Sequence, residues 1–281
     1  MKRIVIIAPS FPKLSETFIV NKFLGLLARG WDVHVVCAQS DSREWERFPQ
    51  LLQVAHWRRR VHRSWPTRPR WLAACLMPLA LLGALGQDPV GSCRYLRRGW
   101  KKFGLDVLRQ LYFDAEIVKL QPDLIHLEFG ALAIGQMHLP ELLDCKLTVS
   151  FRGYDLNFVG LDNPGYYREV WEKSEALHLL GENLWKRAKK RGCGPEKPHT
   201  LIPPAIDVEL FNPEAKAHTE VTGTAGRPLR IFSVGRLDWR KGYEYALQAV
   251  QLLVTQGIHC EYEIIGGGDY LVDVAFARRS R

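Results

Sequence analysis

Several signals that would identify a large class of proteins are missing from this chain. No C-x-x-C pair occurs among its six scattered cysteines, which argues against a zinc or disulfide framework and for reduced thiols. The loop after the first predicted strand has no G-x-G-x-x-G, so a nicotinamide-dependent oxidoreductase is not expected. No G-x-x-x-x-G-K-[ST] and no cluster of metal-ligand residues is present either.

The N-terminus has no long apolar run. Only the six residues from Ile4 to Pro9 are continuously apolar, which is shorter than the apolar region of a secretory signal. We therefore interpret this segment as a β-strand and expect a cytoplasmic protein. With 281 residues the chain is long enough for two domains, and its net charge of +9 favours phosphates, acidic polymers or anionic lipid as partners. Nucleic acid is not expected, because no recognisable binding module accompanies the charge.

Acidic residues are absent from Arg47 to Gln87. A basic stretch, "HWRRRVHRSWPTRPR", is followed there by a 17-residue uncharged run, and five of the nine tryptophans lie in or beside this block. Basic groups attract anionic headgroups, and tryptophan prefers the membrane interface. Three interpretations of this insertion, residues 42–104, remain open: a helical hairpin packed on the first domain, peripheral docking on a membrane, or a membrane span, which Pro78 and two glycines disfavour.

Short β-rich segments alternate with helical ones along most of the chain. A first βαβ unit consists of "RIVIIAP", a helix with Ser15 as N-cap and Gly30 as its stop, and "WDVHVVCA". Further strands are predicted at "PDLIHLEF", "KLTVSFRGYD", "ALHLLG" and "HTLIPPAID", with helices at 105–121, 131–143, 165–174 and 182–192. This order predicts an α/β fold with a mostly parallel sheet, whose ligand crevice lies at the carboxyl ends of the strands.

The alternation also predicts the division into domains. Residues 212–228 contain two prolines and few large apolar groups, which is typical of a linker. An N-terminal Rossmann-like domain is then expected at 1–211. Residues 229–281 hold only the start of a second such domain, one βαβ unit, which is too small to bury both faces of a parallel sheet.

Two groups of polar residues lie where such a fold binds ligands. His126, Glu128, Arg152 and Asp155 follow or end two predicted strands, where they could face one crevice or simply hydrogen-bond the loops. In "FSVGRLDWRKG", Arg236 and Lys241 lie between a strand and a helix, a placement that suits a phosphate.

Taken together, the motifs resemble those of the family 4 glycosyltransferases. The matching segments, in order, are "SFPKLSETFI", "PDLIHLEFG", "SFRGYDLN", "IPPAIDVELF", "SVGRLDWRKG" and "EIIGGG", and they cover residues 1 to about 268. The forms "SETF" and "SFRGYD" are most similar to the branch that builds exopolysaccharides of the colanic-acid type. "VGRL…KG" is the most specific part of the likeness.

The resemblance implies a GT-B fold and retaining transfer of a sugar from a nucleoside-diphosphate sugar, without a metal or other cofactor. The acceptor would be lipid-linked or a polysaccharide. The basic, Trp-rich insertion fits a lipid-linked acceptor, and one interpretation of it makes the cytoplasmic protein peripheral at the inner face of the cell membrane. Arg236, Lys241 and Gly235 would bind the donor diphosphate, because fixed cations at a helix N-terminus stabilise the leaving group. Acceptor-side residues would be Ser15, Glu16, His126 and Glu128.

The chain also departs from the family pattern. Arg152 stands where many members have histidine, and a guanidinium cannot act as a general base. No glutamate has a second glutamate eight positions on, whereas the family uses such a pair to contact the donor. From Asp269 the likeness ends. The missing pair and the end of the likeness favour a frameshift or premature stop over a naturally short protein completed by a separate C-terminal chain. They leave open a non-catalytic fragment that only binds acceptor or membrane.

Overall fold

The computed structural model describes residues 2–206, 208–209 and 223–268. The chain divides into two compact units, Met1–Ala205 and Ile206–Arg281. Most of the predicted linker at 212–228 lies outside the described residues. Its last part is described, and there Thr224 and Arg227 form an isolated antiparallel bridge. The segment from Asp269 onward, where the family likeness ends, also lies outside the described residues.

The first unit is built on a parallel sheet with the strand order β3-β2-β1-β4-β5-β6-β7. Its strands are β1 (Arg3–Ser10), β2 (Asp32–Gln39), β3 (Val61–Arg63), β4 (Leu124–Leu127), β5 (Lys146–Phe151), β6 (Ala176–Leu179) and β7 (His199–Leu201). The order reverses direction between β1 and β4, and such a switch point is where ligands bind in doubly wound sheets.

Helices cover both faces of this sheet. They are α1 (Thr17–Ala28), α2 (Ser42–Glu46), α3 (Pro49–Leu52), α4 (Arg70–Gln87), α5 (Pro89–Phe103), α6 (Val107–Leu120), α7 (Gly130–Ala133), α8 (Leu139–Leu143), α9 (Gly153–Phe158), α10 (Arg168–Lys173) and α11 (Glu182–Lys190). Strand β1 illustrates the two cores, because Ile4 and Ile6 pack with α1 on one face while Val5 packs with α6 on the other. This alternation follows from the two-residue period of a strand.

The structure tests the predicted start and the predicted end of the first helix, with different outcomes. The predicted cap, Ser15, is wrong: Ser15 lies in a 3-10 turn, Leu14–Glu16, and the residue before α1 is Glu16. The predicted stop is confirmed. Gly30 adopts φ 80°, its N–H donates to Leu27 and that of Trp31 donates to Leu26, which satisfies the last carbonyls of the helix.

One other prediction was wrong. The predicted helix at 131–143 is two short helices, because Ile134 is extended and Pro140 begins a new turn in α8. The insertion at 42–104 contains the helical hairpin of the first interpretation, α4 and α5, packed on α6. It also contributes β3 to the sheet, which was not predicted. Val61 pairs with Val35, so this part of the insertion forms the edge of the Rossmann-like core.

The second unit contains β8 (Leu229–Val234), α12 (Tyr243–Thr255) and β9 (Cys260–Ile265) in its described residues. The two strands are parallel, with Leu229 opposite Cys260, as a βαβ unit requires. Helix α12 packs on β9. Several large apolar side chains of the two strands are exposed, among them Phe232, Val234 and Ile265.

Candidate functional site

The carboxyl ends of β4 and β5 meet α1 in a cluster of charged side chains. Glu128 follows β4 directly and is fully buried. Its Oε1 lies 2.7 Å from Lys22 Nζ of α1, and its Oε2 accepts a hydrogen bond of 3.2 Å from Arg152, which follows β5. One carboxylate therefore pairs with two cations. Burial lowers the pKa of Lys22 although Glu128 raises it.

His126 lies beside this cluster, on β4 itself. Lys22 Nζ is 2.9 Å from its Nε2, and Thr148 Oγ1 is 2.8 Å from its Nδ1. Since the ammonium can only donate, Nε2 accepts and Nδ1–H donates to Thr148. Burial, together with the nearby Lys22, His178 and Arg152, holds the pKa of His126 well below its usual range. The ring is thus neutral and has both nitrogens engaged, which suits holding Lys22 better than exchanging protons.

The polar contacts continue across the sheet. Ser150 Oγ on β5 is 3.0 Å from His126 Nε2 and 2.7 Å from His178 Nδ1 on β6. His178 Nε2 is 3.2 Å from the carbonyl oxygen of Ile202. The register explains this row, because His126 lies opposite Thr148 and Ser150 opposite His178. Burial also lowers the pKa of His178.

Arg152 is held in place on two sides. Its guanidinium carbon lies 3.6 Å from the ring centroid of Phe18 on α1 and 5.7 Å from that of Phe129. Such contacts stabilise a partly desolvated cation. The buried Nε of Arg152 has no hydrogen-bond partner in the described residues.

Asp155 holds the loops after β4 and β5 in place by accepting hydrogen bonds from their backbone N–H groups. Its Oδ1 accepts a hydrogen bond of 3.0 Å from the N–H of Ala131, and its Oδ2 accepts one of 2.8 Å from the N–H of Arg152. It therefore caps α9 and ties the loop after β4 to the loop after β5. Burial raises the pKa of Asp155, and these hydrogen bonds oppose that change. The geometry gives Asp155 a positioning role.

The two predicted acceptor-side residues of the first loop differ in environment. Ser15 is exposed at the surface. Glu16 pairs with Lys13 at 3.0 Å, and its buried Oε2 has no hydrogen-bond partner in the described residues. Burial lowers the pKa of Arg152, and the charges of Glu128, Asp155 and Glu16 oppose that change, so Glu16 belongs to the same electrostatic cluster. The structure thus brings Glu16, Glu128 and Arg152 together.

A cavity of about 1090 Å³ lies near the same edge, at the ends of β2 and β3. It is lined by basic, aromatic and amide side chains: His62, Arg63, Arg68, Trp65, Phe113, Gln39, Gln110 and Gln136. The Trp65 ring is fixed by a hydrogen bond of 2.8 Å from its Nε1 to Glu116. Aromatic faces with amide and guanidinium donors are suited to a polar, sugar-like ligand.

In the second unit, Arg236 and Lys241 both lie close to the Gly235 backbone. Arg236 follows Gly235 at the end of β8, and Lys241 ends a 3-10 turn, Trp239–Lys241, just before α12. A side chain at Gly235 would lie 3.9 Å from Lys241 Cε and 3.1 Å from the Tyr243 hydroxyl. Both cations therefore flank the start of a helix, where the backbone also attracts anions.

Asp238 neutralises part of this charge. Its carboxylate pairs with Arg240 through contacts of 2.8 and 2.6 Å, and Oδ2 lies 3.5 Å from Arg236. The hydrogen bonds from Arg240 hold the pKa of Asp238 well below its usual range. The side chain of Arg236 is half exposed, so this long contact leaves it accessible to a ligand.

Sequence reasoning missed four residues of the first unit's cluster: Lys22, Thr148, Ser150 and His178. Three of them interrupt strands that are otherwise apolar, and parallel strands buried on both faces are normally close to continuous in apolar residues. That interruption was the signal that could have identified them. Lys22 carried no such signal, because a lysine on an amphipathic helix is ordinarily solvated.

The sequence has relatives among enzymes of exopolysaccharide synthesis. It is 27% identical over 274 residues to the colanic acid biosynthesis glycosyltransferase WcaL of Salmonella typhimurium, and 26% identical over 271 residues to the amylovoran biosynthesis glycosyltransferase AmsK of Erwinia amylovora. Each alignment covers 92% of this chain and 63% of the relative. The chain thus spans less than two thirds of the length of these relatives. No protein-family model matches the sequence.

Solved structures agree on the fold. A sucrose-phosphate synthase from Thermosynechococcus elongatus superimposes with a TM-score of 0.58 at 15% identity, over 96% of this chain and 63% of that one. HepE of Anabaena, solved in complex with UDP-glucose, gives a TM-score of 0.52 at 10% identity, over 98% and 71%. The chain is therefore a homologue of exopolysaccharide glycosyltransferases, and its α/β architecture is of the GT-B type.

Proposed function

We propose that this chain serves glycosyl transfer in exopolysaccharide synthesis. A sugar would move from a nucleoside-diphosphate sugar to a lipid-linked or polysaccharide acceptor, with retention of the anomeric configuration. The pair of cations that flanks Gly235, Arg236 and Lys241, carries the proposal. The diphosphate gains negative charge as it leaves, and two preorganised cations beside a helix N-terminus stabilise that charge without a metal.

We assign acceptor binding to the first unit. Arg152 and Glu16 each have a buried polar atom without a partner in the described residues, and the cavity beside Trp65 offers aromatic and amide groups. Unpartnered buried polar atoms are costly unless a ligand or water satisfies them. We assign hydroxyl and phosphate groups of the acceptor to this edge, with Glu128, Lys22 and His126 as the residues that position Arg152.

Nucleotide binding tests the donor assignment. Calorimetry of the full chain with UDP, GDP and their sugar derivatives should detect binding of at least one of them. Arg236→Ala should weaken that binding by roughly tenfold to a hundredfold, as expected for a lost charge-assisted contact. Arg230→Ala is the matched control, because Arg230 lies on β8 of the same unit and pairs with Glu261 at the surface. Equal affinities of the two variants would exclude the assignment.

A second candidate is binding without turnover. Incubation of the chain with sugar nucleotides separates the two candidates. Hydrolysis or transfer that disappears in Arg236→Ala supports the enzyme, whereas nucleotide or acceptor binding without turnover supports the alternative.

A further inference from the structure

Helix α4 presents an apolar face to the outside of the molecule. Its exposed residues recur at helical spacing and carry no charge after Arg70: Trp71, Ala74, Cys75, Pro78, Leu79 and Leu82. Trp71, Leu79 and Leu82 are 68%, 60% and 66% exposed. A surface helix of a globular protein normally carries charged residues on this side. We call these six residues the α4 stripe.

The opposite face of α4 already has a partner. Ala80 and Ala84 are fully buried against Tyr112 and Ala115 of α6. By length and composition α4 is a candidate membrane span among the described residues, but a helix that crosses a bilayer would have to leave α6. Since one face is packed in protein and the other is apolar and exposed, α4 fits the plane of a membrane interface better than a span.

Helix α5 adds positive charge next to the stripe. It packs on α6 beside α4, so the outer faces of both helices point away from α6. Arg94, Arg97 and Lys101 are exposed there, and they form no salt bridge within the part of the chain that the structure describes. Trp100, on the same outer side, is 55% exposed. Cations and tryptophan beside an apolar helix are typical of an interfacial anchor.

The charge of the whole protein is concentrated in this region. Residues 42–104 contain thirteen arginines and lysines and three acidic residues, a formal charge of +10, whereas the whole chain carries +9. The remainder of the chain is thus close to neutral. A surface that combines an apolar stripe with exposed basic residues complements anionic lipid, whose headgroups attract each basic residue and whose acyl boundary accepts the stripe.

We propose that the α4 stripe and the basic face of α5 dock the protein on an anionic lipid bilayer. Helix α4 lies in the plane of the interface with Trp71, Leu79 and Leu82 buried among the acyl chains. Arg94, Arg97 and Lys101 contact the headgroups. The surface is independent of the proposed transfer reaction, because docking requires neither sugar nucleotide nor acceptor.

Vesicle binding tests this surface. The full chain should co-sediment with vesicles of phosphatidylglycerol and phosphatidylcholine, more weakly at high salt, and not with phosphatidylcholine alone. The triple variant Arg94→Gln/Arg97→Gln/Lys101→Gln should bind roughly a hundredfold more weakly. The matched control, Lys186→Gln/Arg187→Gln/Lys190→Gln, removes three exposed charges from α11, another basic helix, and should bind like the unmodified protein.

Further variants test how much the apolar α4 stripe contributes to vesicle binding. Leu79→Ser/Leu82→Ser should weaken binding while leaving its salt dependence. Brominated lipid should quench the tryptophan fluorescence of the unmodified protein more strongly than that of Trp71→Phe. Equal binding to neutral vesicles, or loss of binding only in the α11 variant, would overturn the proposal. So would sedimentation that shows a dimer without lipid which Leu79→Ser/Leu82→Ser dissociates, because the stripe would then be an interface between two copies.

Discussion

At the scale of the residue, Glu128 is the centre of the first unit's polar cluster. Its carboxylate is fully buried, yet it contacts two cations that come from different elements, Lys22 of α1 and Arg152 after β5. Buried charges persist only when they are paired. The loop after β4, the loop after β5 and helix α1 therefore hold one another in place through a single side chain.

Glu128→Gln should be strongly destabilising for this reason. The substitution keeps the shape but leaves Lys22 and Arg152 without their counter-ion, at a cost of about 3 kcal/mol in the free energy of unfolding. Urea denaturation followed by circular dichroism measures the change. Glu175→Gln is the control, since Glu175 pairs with Lys146 at 2.7 Å in an exposed position. It should cost less than about 1 kcal/mol. Similar losses in both variants would contradict the central role of Glu128.

The polar residues at the strand ends were only partly predictable from the sequence. The positions of His126, Glu128, Arg152 and Asp155 at strand ends followed from the alternation of strands and helices, because parallel strands share a carboxyl edge. The separate role of each of these residues could not be predicted from that alternation. Asp155 binds backbone N–H groups and Arg152 lies over Phe18, and both contacts depend on where α1 and the loop after β4 pack.

At the scale of the element, the end of β9 approaches the end of β8 closely. Gly235 N–H donates to the carbonyl of Ile265, and a Cβ at Gly266 would lie 1.8 Å from the carbonyl oxygen of Gly235. A Cβ at Gly267 would meet nothing within 4 Å. The run of glycines in "IIGGG" thus contains one position that this backbone contact requires to be glycine and a neighbour that it does not.

Gly266→Ala should disrupt the pairing of β8 with β9. Because the clash is with backbone rather than with a flexible side chain, we expect a cost of about 2 kcal/mol or more in the stability of the second unit. Hydrogen exchange of the β8 amides measures it, and nucleotide affinity should fall in parallel because Arg236 and Lys241 flank Gly235. Gly267→Ala should leave both nearly unchanged. Equal exchange rates in the two variants would show that the contact carries little energy.

The insertion was only partly predictable at this scale. The helical hairpin was one of three interpretations, and the uncharged run does form α4. Strand β3 was not predicted, because three residues, "VHR", are too short to show a period. Its pairing with β2 was decided by tertiary structure: Arg60, just before β3, pairs with Asp32 at the start of β2 at 2.9 Å.

At the scale of the whole molecule, the first unit holds several histidines in partly buried positions in and around the sheet. Burial lowers the pKa values of His34, His62, His126 and His178. That of His34 falls to about 4, although Asp32 lies 3.3 Å away and raises it, while His62, Arg3 and Arg60 oppose protonation. Each ring is therefore neutral in the folded protein at pH 7.

This burial makes the fold sensitive to acid. An unfolded histidine has a pKa near 6.5, so between about pH 6.5 and 4 the unfolded chain binds more protons than the folded one. The stability contributed by the neutral rings is present above pH 6.5 and is lost as the pH falls toward 4. Urea unfolding at pH 7.5, 6.0 and 5.0 should show a progressive decrease.

Two substitutions test whether His34 contributes to the loss of stability at low pH. His34→Gln should reduce the slope of stability against pH, whereas His56→Asn, at an exposed position with φ 54° that asparagine tolerates, should not. Stability that stays constant between pH 7.5 and 5.0 would contradict the prediction.

The sequence by itself determined the fold class, the family likeness and the residues that carry them, since strand–helix alternation and loop motifs such as "VGRL…KG" are local properties of the chain. Tertiary structure decided how those residues work together. Glu128 meets Lys22 because α1 packs across the sheet, and His126, Ser150 and His178 form one row because the register of three strands aligns them. Packing also decided that the α4 stripe is exposed, because the opposite face of this apolar helix is the one that packs on α6. Periodicity shows that a residue is apolar, and only packing shows which of its neighbours cover it.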